Sequence, residues 1–220
     1  MKSKVKYRAI LFDLDGTLTE SGIGITKSVQ LALEKMGKPE PDLEKLRVFV
    51  GPPLKEQFMD YAGFTEEEAE EAITHFRSRY RTIGIFENAV YDGVEDMLKA
   101  LKEAGYVLAV ASSKPEILVN QVLEHFHMEH YFTERVGSEM DGVRSKKSEV
   151  IDEALLRLGL LEERSAVLMV GDKEHDVFGA REAGMECAAV TWGYGTEEEL
   201  AGAAPLLTVQ HPRELVDYLI

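Results

Sequence analysis

The chain has 220 residues, enough for one large domain or for one domain carrying a smaller insert. Its 45% hydrophobic content supports a substantial core, yet no apolar run approaches the roughly 18–20 residues of a membrane span. Net charge is −15, from 25 basic and 40 acidic residues, which argues against a nucleic-acid backbone or an anionic membrane as partner. Cys187 is the only cysteine, so an internal disulfide and a cysteine-built metal site are excluded, and its apolar surroundings read as those of a buried, inert thiol. Met1-Lys2-Ser3-Lys4-Val5-Lys6 runs straight into the first apolar segment with no signal-peptide pattern, so a cytoplasmic location is expected.

The first apolar run, residues 9–14, ends in Asp13-Leu14-Asp15-Gly16-Thr17. An apolar run closed by a turn signal reads as a buried strand. Strand side chains repeat with period two, so Asp13 and Asp15 start on one side of the chain at the strand's carboxyl end. Ligand crevices of open α/β sheets lie at that end. Two carboxylates so close raise each other's pKa unless a divalent cation or a proton compensates. Either arrangement suits a nucleophile beside a general acid; the competing reading is a strand that ends in a solvated turn. Residues 22–85 then break the strand rhythm. Ile25, Val29, Leu33 and Met36 have helical spacing, helical stretches follow over 46–50, 54–61 and 65–80, and no convincing strand is found. A small all-helical insert over residues 21–86 is expected, hung on two short linkers and placed to act as a lid. The core would comprise 1–20 and 87–220. Thr65 before Glu66-Glu67-Glu68 fits a capped helix start, and Arg77, Arg79 and Arg81 read as a solvated helix face.

Strands are predicted over 107–111, 166–170 and 187–191, with weaker ones near Val136 and over 206–209. Helices are predicted over 115–126, 148–158 and 176–183, the last two stopping at Gly159 and Gly184. Strands alternating with helices give βαβ units and a mostly parallel sheet. The strand ends carry polar residues: Ser112-Ser113-Lys114, Gly171-Asp172-Lys173-Glu174-His175-Asp176 and Trp192-Gly193-Tyr194-Gly195, with Lys146 and Lys147 just before a helix. Four such ends at one edge of one sheet are hard to explain as turns. Ser112 alone would pass as a cap for the helix after Pro115. His125, His127 and His130 lack a cysteine and a common helix face, so they read as a helix end and not as a zinc site.

In order along nearly all of the chain, Asp-x-Asp-Gly-Thr, a helical insert, a hydroxyl residue after a strand, a lysine and Gly-Asp-x-x-x-Asp resemble a haloacid-dehalogenase-superfamily hydrolase. The group most similar is that of the phosphoglycolate phosphatases, with a helical cap after the first strand. The resemblance implies a Rossmann-like, doubly wound α/β core. It implies Asp13 as the nucleophile that forms an aspartyl-phosphate and Asp15 as the general acid/base. Mg²⁺ would be held by Asp13, the backbone carbonyl of Asp15, and Asp172. Asp176 would order metal-bound water or hold the lysine, and Gly171 would allow a tight turn. Ser112, helped by the backbone N–H of Ser113, would bind the phosphoryl group. The sequence departs from the family's usual Lys-Pro form with Arg144-Ser145-Lys146-Lys147-Ser148; Lys147 is assigned as the family lysine, with Lys146 as the alternative, and Lys114 is placed at the rim. His175 is placed on the solvent side, since Mg²⁺ prefers oxygen.

Relatives without the second aspartate, the dehalogenases, and those with Lys-Thr-Gly-Thr after the nucleophile, the P-type ATPases, do not match Asp15-Gly16-Thr17. The expected activity is therefore Mg²⁺-dependent hydrolysis of a small phosphorylated metabolite: phosphoglycolate, a nucleotide or a sugar phosphate. Arg47 or Lys55 on the cap would meet a second anionic group of the substrate. Trp192 is either part of the entrance or a packing anchor. A phosphomutase of the β-phosphoglucomutase type is the alternative, but the cap residues that hold a bisphosphorylated intermediate are not recognisable. A silent phosphate-binding regulator is disfavoured because every catalytic position is filled. No nucleic-acid or membrane partner is expected, and the chain is read as a monomer or weak homodimer.

Overall fold

The computed structural model describes residues 7–139, 144 and 146–220. The readings made for residues 1–6 and for Ser145 lie outside them. In chain order the elements are β1 (Ala9–Phe12), β2 (Thr19–Glu20), α1 (Gly22–Lys35), α2 (Leu54–Ala62), α3 (Glu66–Tyr80), β3 (Ala89–Val90), α4 (Val94–Glu103), β4 (Val107–Pro115), α5 (Glu116–His125), β5 (Glu134–Ser138), α6 (Lys147–Leu158), β6 (Val167–Gly171), α7 (Glu174–Glu182), β7 (Glu186–Val190), α8 (Glu197–Ala203), β8 (Leu207–Val209) and α9 (Pro212–Leu219). Short 3₁₀ turns fill some of the connections.

Six strands form one parallel sheet in the order β5-β4-β1-β6-β7-β8. The chain runs outward from β1 to β5, then returns to the other side of β1 and runs out to β8. That reversal is a topological switch point, the place where doubly wound α/β sheets bind ligands. The expected Rossmann-like α/β fold is the one observed. β1 is buried along its whole length, which explains its unbroken apolar sequence.

Period-two alternation decides which side of the sheet each residue serves. Ala9 and Leu11 of β1, Ala109 and Ala111 of β4, and Val167 and Met169 of β6 share one core cluster. Val150, Ile151, Ala154 and Leu155 of α6 and Val177 and Ala180 of α7 join it, each set falling on one face of its helix. Cutting Leu11 back to alanine here should cost about 3 kcal/mol, because β1, paired on both sides, cannot shift to fill the gap. Asp13 is the next residue of the Ala9–Leu11 alternation. The strand therefore delivers its carboxylate to the side on which α6 begins.

The chain divides into two compact units, one of residues up to Leu18 with Val90–Ile220, the other of Thr19–Ala89. The second unit is helical. α1 buries Ile25, Val29, Ala32 and Leu33, and α3 buries Ala69, Ala72, Ile73, Phe76 and Tyr80. Phe49, Phe58 and Phe64 form an aromatic cluster beside them. Thr65 and Glu68 cap α3 reciprocally, side chain to backbone in both directions, as the sequence suggests. The short strands β2 and β3 pair with each other where the chain passes between the units. Among the described residues no helix is long and apolar enough to cross a membrane.

Several element boundaries differ from the sequence reading, and those of β4, α5 and α7 bear on the site. β4 does not stop at Ala111 but continues to Pro115, with an irregularity in its pairing to β5 between Ala111 and Pro115. α5 accordingly starts at Glu116. α7 starts at Glu174, two residues before the predicted start, because the Asp176 carboxylate accepts the Lys173 N–H at 3.0 Å and caps the first turn.

Candidate active site

The carboxyl ends of β1, β4 and β6 and the first turn of α6 bring charged side chains together inside the sheet unit. Asp13 extends β1, its N–H donating to the Val170 carbonyl at 2.9 Å. Asp172 follows β6, and Asp176 lies in the first turn of α7. Carboxylate oxygens of Asp13, Asp172 and Asp176 lie within 4.8 Å of one another, and all three residues are buried. Lys147, in the first turn of α6, reaches into the cluster. Its ammonium is 2.9 Å from Asp13 Oδ1 and 2.7 Å from Asp176 Oδ1, and it donates to the Ala111 carbonyl at 3.1 Å.

Three buried carboxylates against one ammonium leave two negative charges uncompensated. The titration behaviour reflects this. Burial, then repulsion from Asp176 and Asp13, pushes Asp172 up to about 8. Burial also raises Asp13, to about 6; Lys147 and a hydrogen bond from Ser112 oppose the shift, and Asp176 adds to it. Burial works against the Lys147 charge, yet the carboxylates of Asp13 and Asp176 hold its pKa above the ordinary lysine value. Oxygen donors carrying a net charge of two fit a hard divalent cation such as Mg²⁺.

Asp172 is held rigidly. It accepts the Tyr194 N–H at 2.8 Å and the Thr17 hydroxyl at 3.2 Å. Trp192 Nε1 in turn donates to the Thr17 carbonyl at 3.0 Å, which places Trp192 as an anchor of this loop. Gly16 sits at φ +86°, and a Cβ there would come within 2.2 Å of Asp172 Oδ2. Only glycine satisfies both the backbone angle and the close approach. Gly171 was expected to ease a turn. Its backbone is ordinary; the requirement is space, since a Cβ would lie 2.2 Å from the Asp176 carboxyl carbon.

Asp15 stands apart from the cluster. Its carboxylate accepts from Lys114 Nζ through both oxygens, at 2.9 and 2.6 Å. Placing Lys114 at the rim is therefore corrected: its side chain is 5% exposed and that of Asp15 12%. The continuation of β4 past Ala111 carries Lys114 inward, and the pairing irregularity re-aims the strand end. Ser112 is buried and its hydroxyl also accepts the Lys114 N–H at 3.3 Å; Ser113 follows it on β4. Lys146 is exposed just ahead of α6, where its N–H donates to Glu149.

Arg47 and Lys55 belong to the helical unit. There Arg47 pairs with Glu44 at 3.3 Å, and Lys55 with Glu66 and Glu70 at 3.0 and 3.4 Å. Arg79, read as part of a solvated face, is instead largely covered: it pairs with Glu87 at 2.7 Å and donates to the Ser28 hydroxyl at 3.2 Å. Among the described residues the aspartate cluster is the group that could hold a metal, and the histidines form none. Sequence reasoning missed the roles of Thr17 and the Tyr194 N–H in holding Asp172. Thr17 was visible in the Asp-x-Asp-Gly-Thr run, but no local pattern marks a backbone donor.

Residues 10–190 match the family of haloacid dehalogenase-like hydrolases. Over 201 residues, 91% of this chain and 90% of the relative, the chain is 45% identical to a 5'-nucleotidase of Pseudomonas aeruginosa. It is 32% identical over 216 residues to phosphoglycolate phosphatase 1 of the same organism, covering 95% of this chain and 78% of that one. It is also 42% identical over 186 residues, 84% of its length, to the tyrosine-protein kinase PtkA of Mycobacterium tuberculosis, of which it spans 62%. The solved structure of a predicted phosphatase from Clostridium acetobutylicum superposes with a TM-score of 0.92 at 45% identity, covering 96% of this chain and 97% of that one. With its Asp-x-Asp strand end and its buried aspartates in this fold, the chain belongs to the haloacid dehalogenase-like hydrolase family.

Proposed function

We propose that this protein is a Mg²⁺-dependent phosphatase that hydrolyses phosphate monoesters of small metabolites through an aspartyl-phosphate on Asp13. Its class, phosphoric monoester hydrolase, rests on the family and on relatives named as phosphatases and a nucleotidase. The observation that carries the finer reading is the buried Asp13–Asp172–Asp176 cluster with Lys147 at the carboxyl end of β1.

Asp13 attacks phosphorus while Asp15 gives a proton to the leaving oxygen, so the ester P–O bond breaks as the Asp13–phosphorus bond forms. Water then attacks the same phosphorus and Asp15 takes its proton, releasing inorganic phosphate and restoring Asp13. Ser112 and the Ser113 N–H hold the phosphoryl oxygens. Lys147 offsets negative charge on Asp13 and on the phosphoryl group. Asp13, the Asp15 carbonyl and Asp172 would hold Mg²⁺, whose charge would offset that of the transferring phosphoryl group, and Asp176 would support that site or hold Lys147, which it pairs with at 2.7 Å. Arg47 or Lys55 of the helical unit would meet a second anionic group of the substrate.

Phosphate release from a panel of phosphoglycolate, nucleoside monophosphates and hexose phosphates tests this reading. Release with Mg²⁺ that is lost in EDTA, and lost by at least about 10³-fold in Asp13→Asn, is the expected result. Consumption of an ester without release of inorganic phosphate would redirect the reading to phosphoryl transfer onto another acceptor.

A further inference from the structure

Lys114 is a buried cation that the hydrolytic steps above do not use. Its ammonium contacts both oxygens of one carboxylate, and that carboxylate belongs to Asp15. Two adjacent parallel strands explain the pairing. β1 and β4 are in register up to Phe12 and Val110. Beyond that point the chain leaving β1 carries Asp13 and Asp15, and β4 carries Ser112 and Lys114. Ser112 serves Asp13, and Lys114 serves Asp15. The neighbouring strand makes room for this: at Gly137 of β5 a Cβ would lie 2.4 Å from the Lys114 carbonyl oxygen.

We propose that Lys114 is a positioning residue for the phosphatase reaction, fixing the Asp15 carboxyl so that one group serves both the leaving oxygen and the attacking water. This rests on the phosphatase reading above. Asp15 follows the end of β1 by three residues, beside a glycine with positive φ. A side chain on such a turn has rotamers to choose from, and a two-point contact selects one. Misplacing a proton-transfer group by about 1 Å costs on the order of 10²-fold in rate. A lysine that bound substrate directly would instead act through affinity.

A double-mutant cycle between Lys114 and Asp15 separates these roles, with kcat and KM measured for Mg²⁺-loaded enzyme on the best ester of the panel and melting temperature measured on the same samples. Lys114→Met is expected to lower kcat by about 30–100-fold with KM within about 2-fold. In an Asp15→Asn background the same change should lower kcat by less than about 3-fold, because the group that Lys114 positions is already gone. Lys114→Gln, which keeps a side-chain donor in a similar volume, guards against simple misfolding and should show a smaller loss of the same kind. Losses that multiply in the double variant, or a raised KM with kcat preserved, would overturn the inference while leaving the phosphatase reading intact. An Asp15→Asn variant as active as wild type would overturn the role of Asp15, and the inference with it.

Discussion

The two units of this chain handle charge in opposite ways. In the sheet unit, Asp13, Asp172, Asp176 and Lys147 are buried together with more negative than positive charge. In the helical unit several cations meet carboxylates of the same unit: Arg79 and Lys27 on Glu87, Lys55 on Glu66 and Glu70, Lys45 on Glu40. Burying like charges is costly, and a fold retains them only where something else compensates. The imbalance fits a site that could hold a cation, which is where the proposed mechanism puts its metal. The paired cations of the helical unit create no such requirement. Any substrate anion it meets must compete with carboxylates already in place.

The contrast can be broken most severely at Gly16. Gly16→Ala forces a Cβ into the Asp172 carboxylate at a backbone angle that L-residues avoid. A loss of about 3 kcal/mol is expected in chemical denaturation, together with the loss of any Mg²⁺-induced stabilisation. Comparable small-to-alanine changes on open surface, such as Gly63→Ala where a Cβ meets nothing within 4 Å, should cost less despite a positive φ.

Metal addition acts on the buried carboxylates of the sheet unit. Asp172 rises from 3.8 to about 8 on folding and Asp13 from 3.8 to about 6. A raised carboxylate pKa means that the folded state binds the proton more tightly. The stability this confers is complete below about pH 3.8 and is lost as pH rises through about 6 and then about 8. Metal-free protein should thus melt at lower temperature at pH 8 than at pH 5. Saturating Mg²⁺ at pH 8 should restore about 5–10 °C, the equivalent of about 2.7 kcal/mol at a hundredfold excess over Kd. Equal melting shifts at both pH values would contradict the charge imbalance.

Glu87 gives the smaller, opposite case. Its hydrogen bond from Arg79, then that from Lys27, holds its carboxyl below the ordinary 4.5. Its stabilisation is present above about pH 4.5 and fades as pH falls through the lower folded value. Glu87→Gln should cost about 1 kcal/mol at neutral pH, and the difference from wild type should shrink in acid. The least effect on stability belongs to Lys55, whose pairs with Glu66 and Glu70 lie in solvent. Lys55→Ala should leave the melting temperature unchanged. If Lys55 meets substrate, that variant changes KM for substrates carrying a second anion and spares the others.

What the sequence made legible follows the same division. Strand ends are local and periodic, so the alternation of β1 pointed to Asp13 and Asp15, and Gly171-Asp172 announced itself as a second strand end. The mostly parallel sheet was readable from the alternation of strands and helices, and the family from the order of its motifs, whereas the strand order was not. Lys114 was not, because its burial depends on β4 running on past Ala111 with irregular pairing to β5, a tertiary effect with no local signature. Gly171 was misread because the space it leaves is filled by a residue five positions later. Arg79 was misread because Glu87 and Ser28, its partners, lie on other segments of the unit. The partners of Lys55 were invisible for the same reason.

In the proposed mechanism Asp13 carries the phosphoryl group. Acid quenching of wild type during turnover of a good ester with Mg²⁺, followed by borohydride reduction and peptide mass spectrometry, tests it directly. The expected result is a reduced acyl-phosphate at position 13, absent from Asp13→Asn and from samples without substrate. Brisk phosphate release with no modification at Asp13 at any quench time, or a phosphoryl group on a different residue, would contradict it.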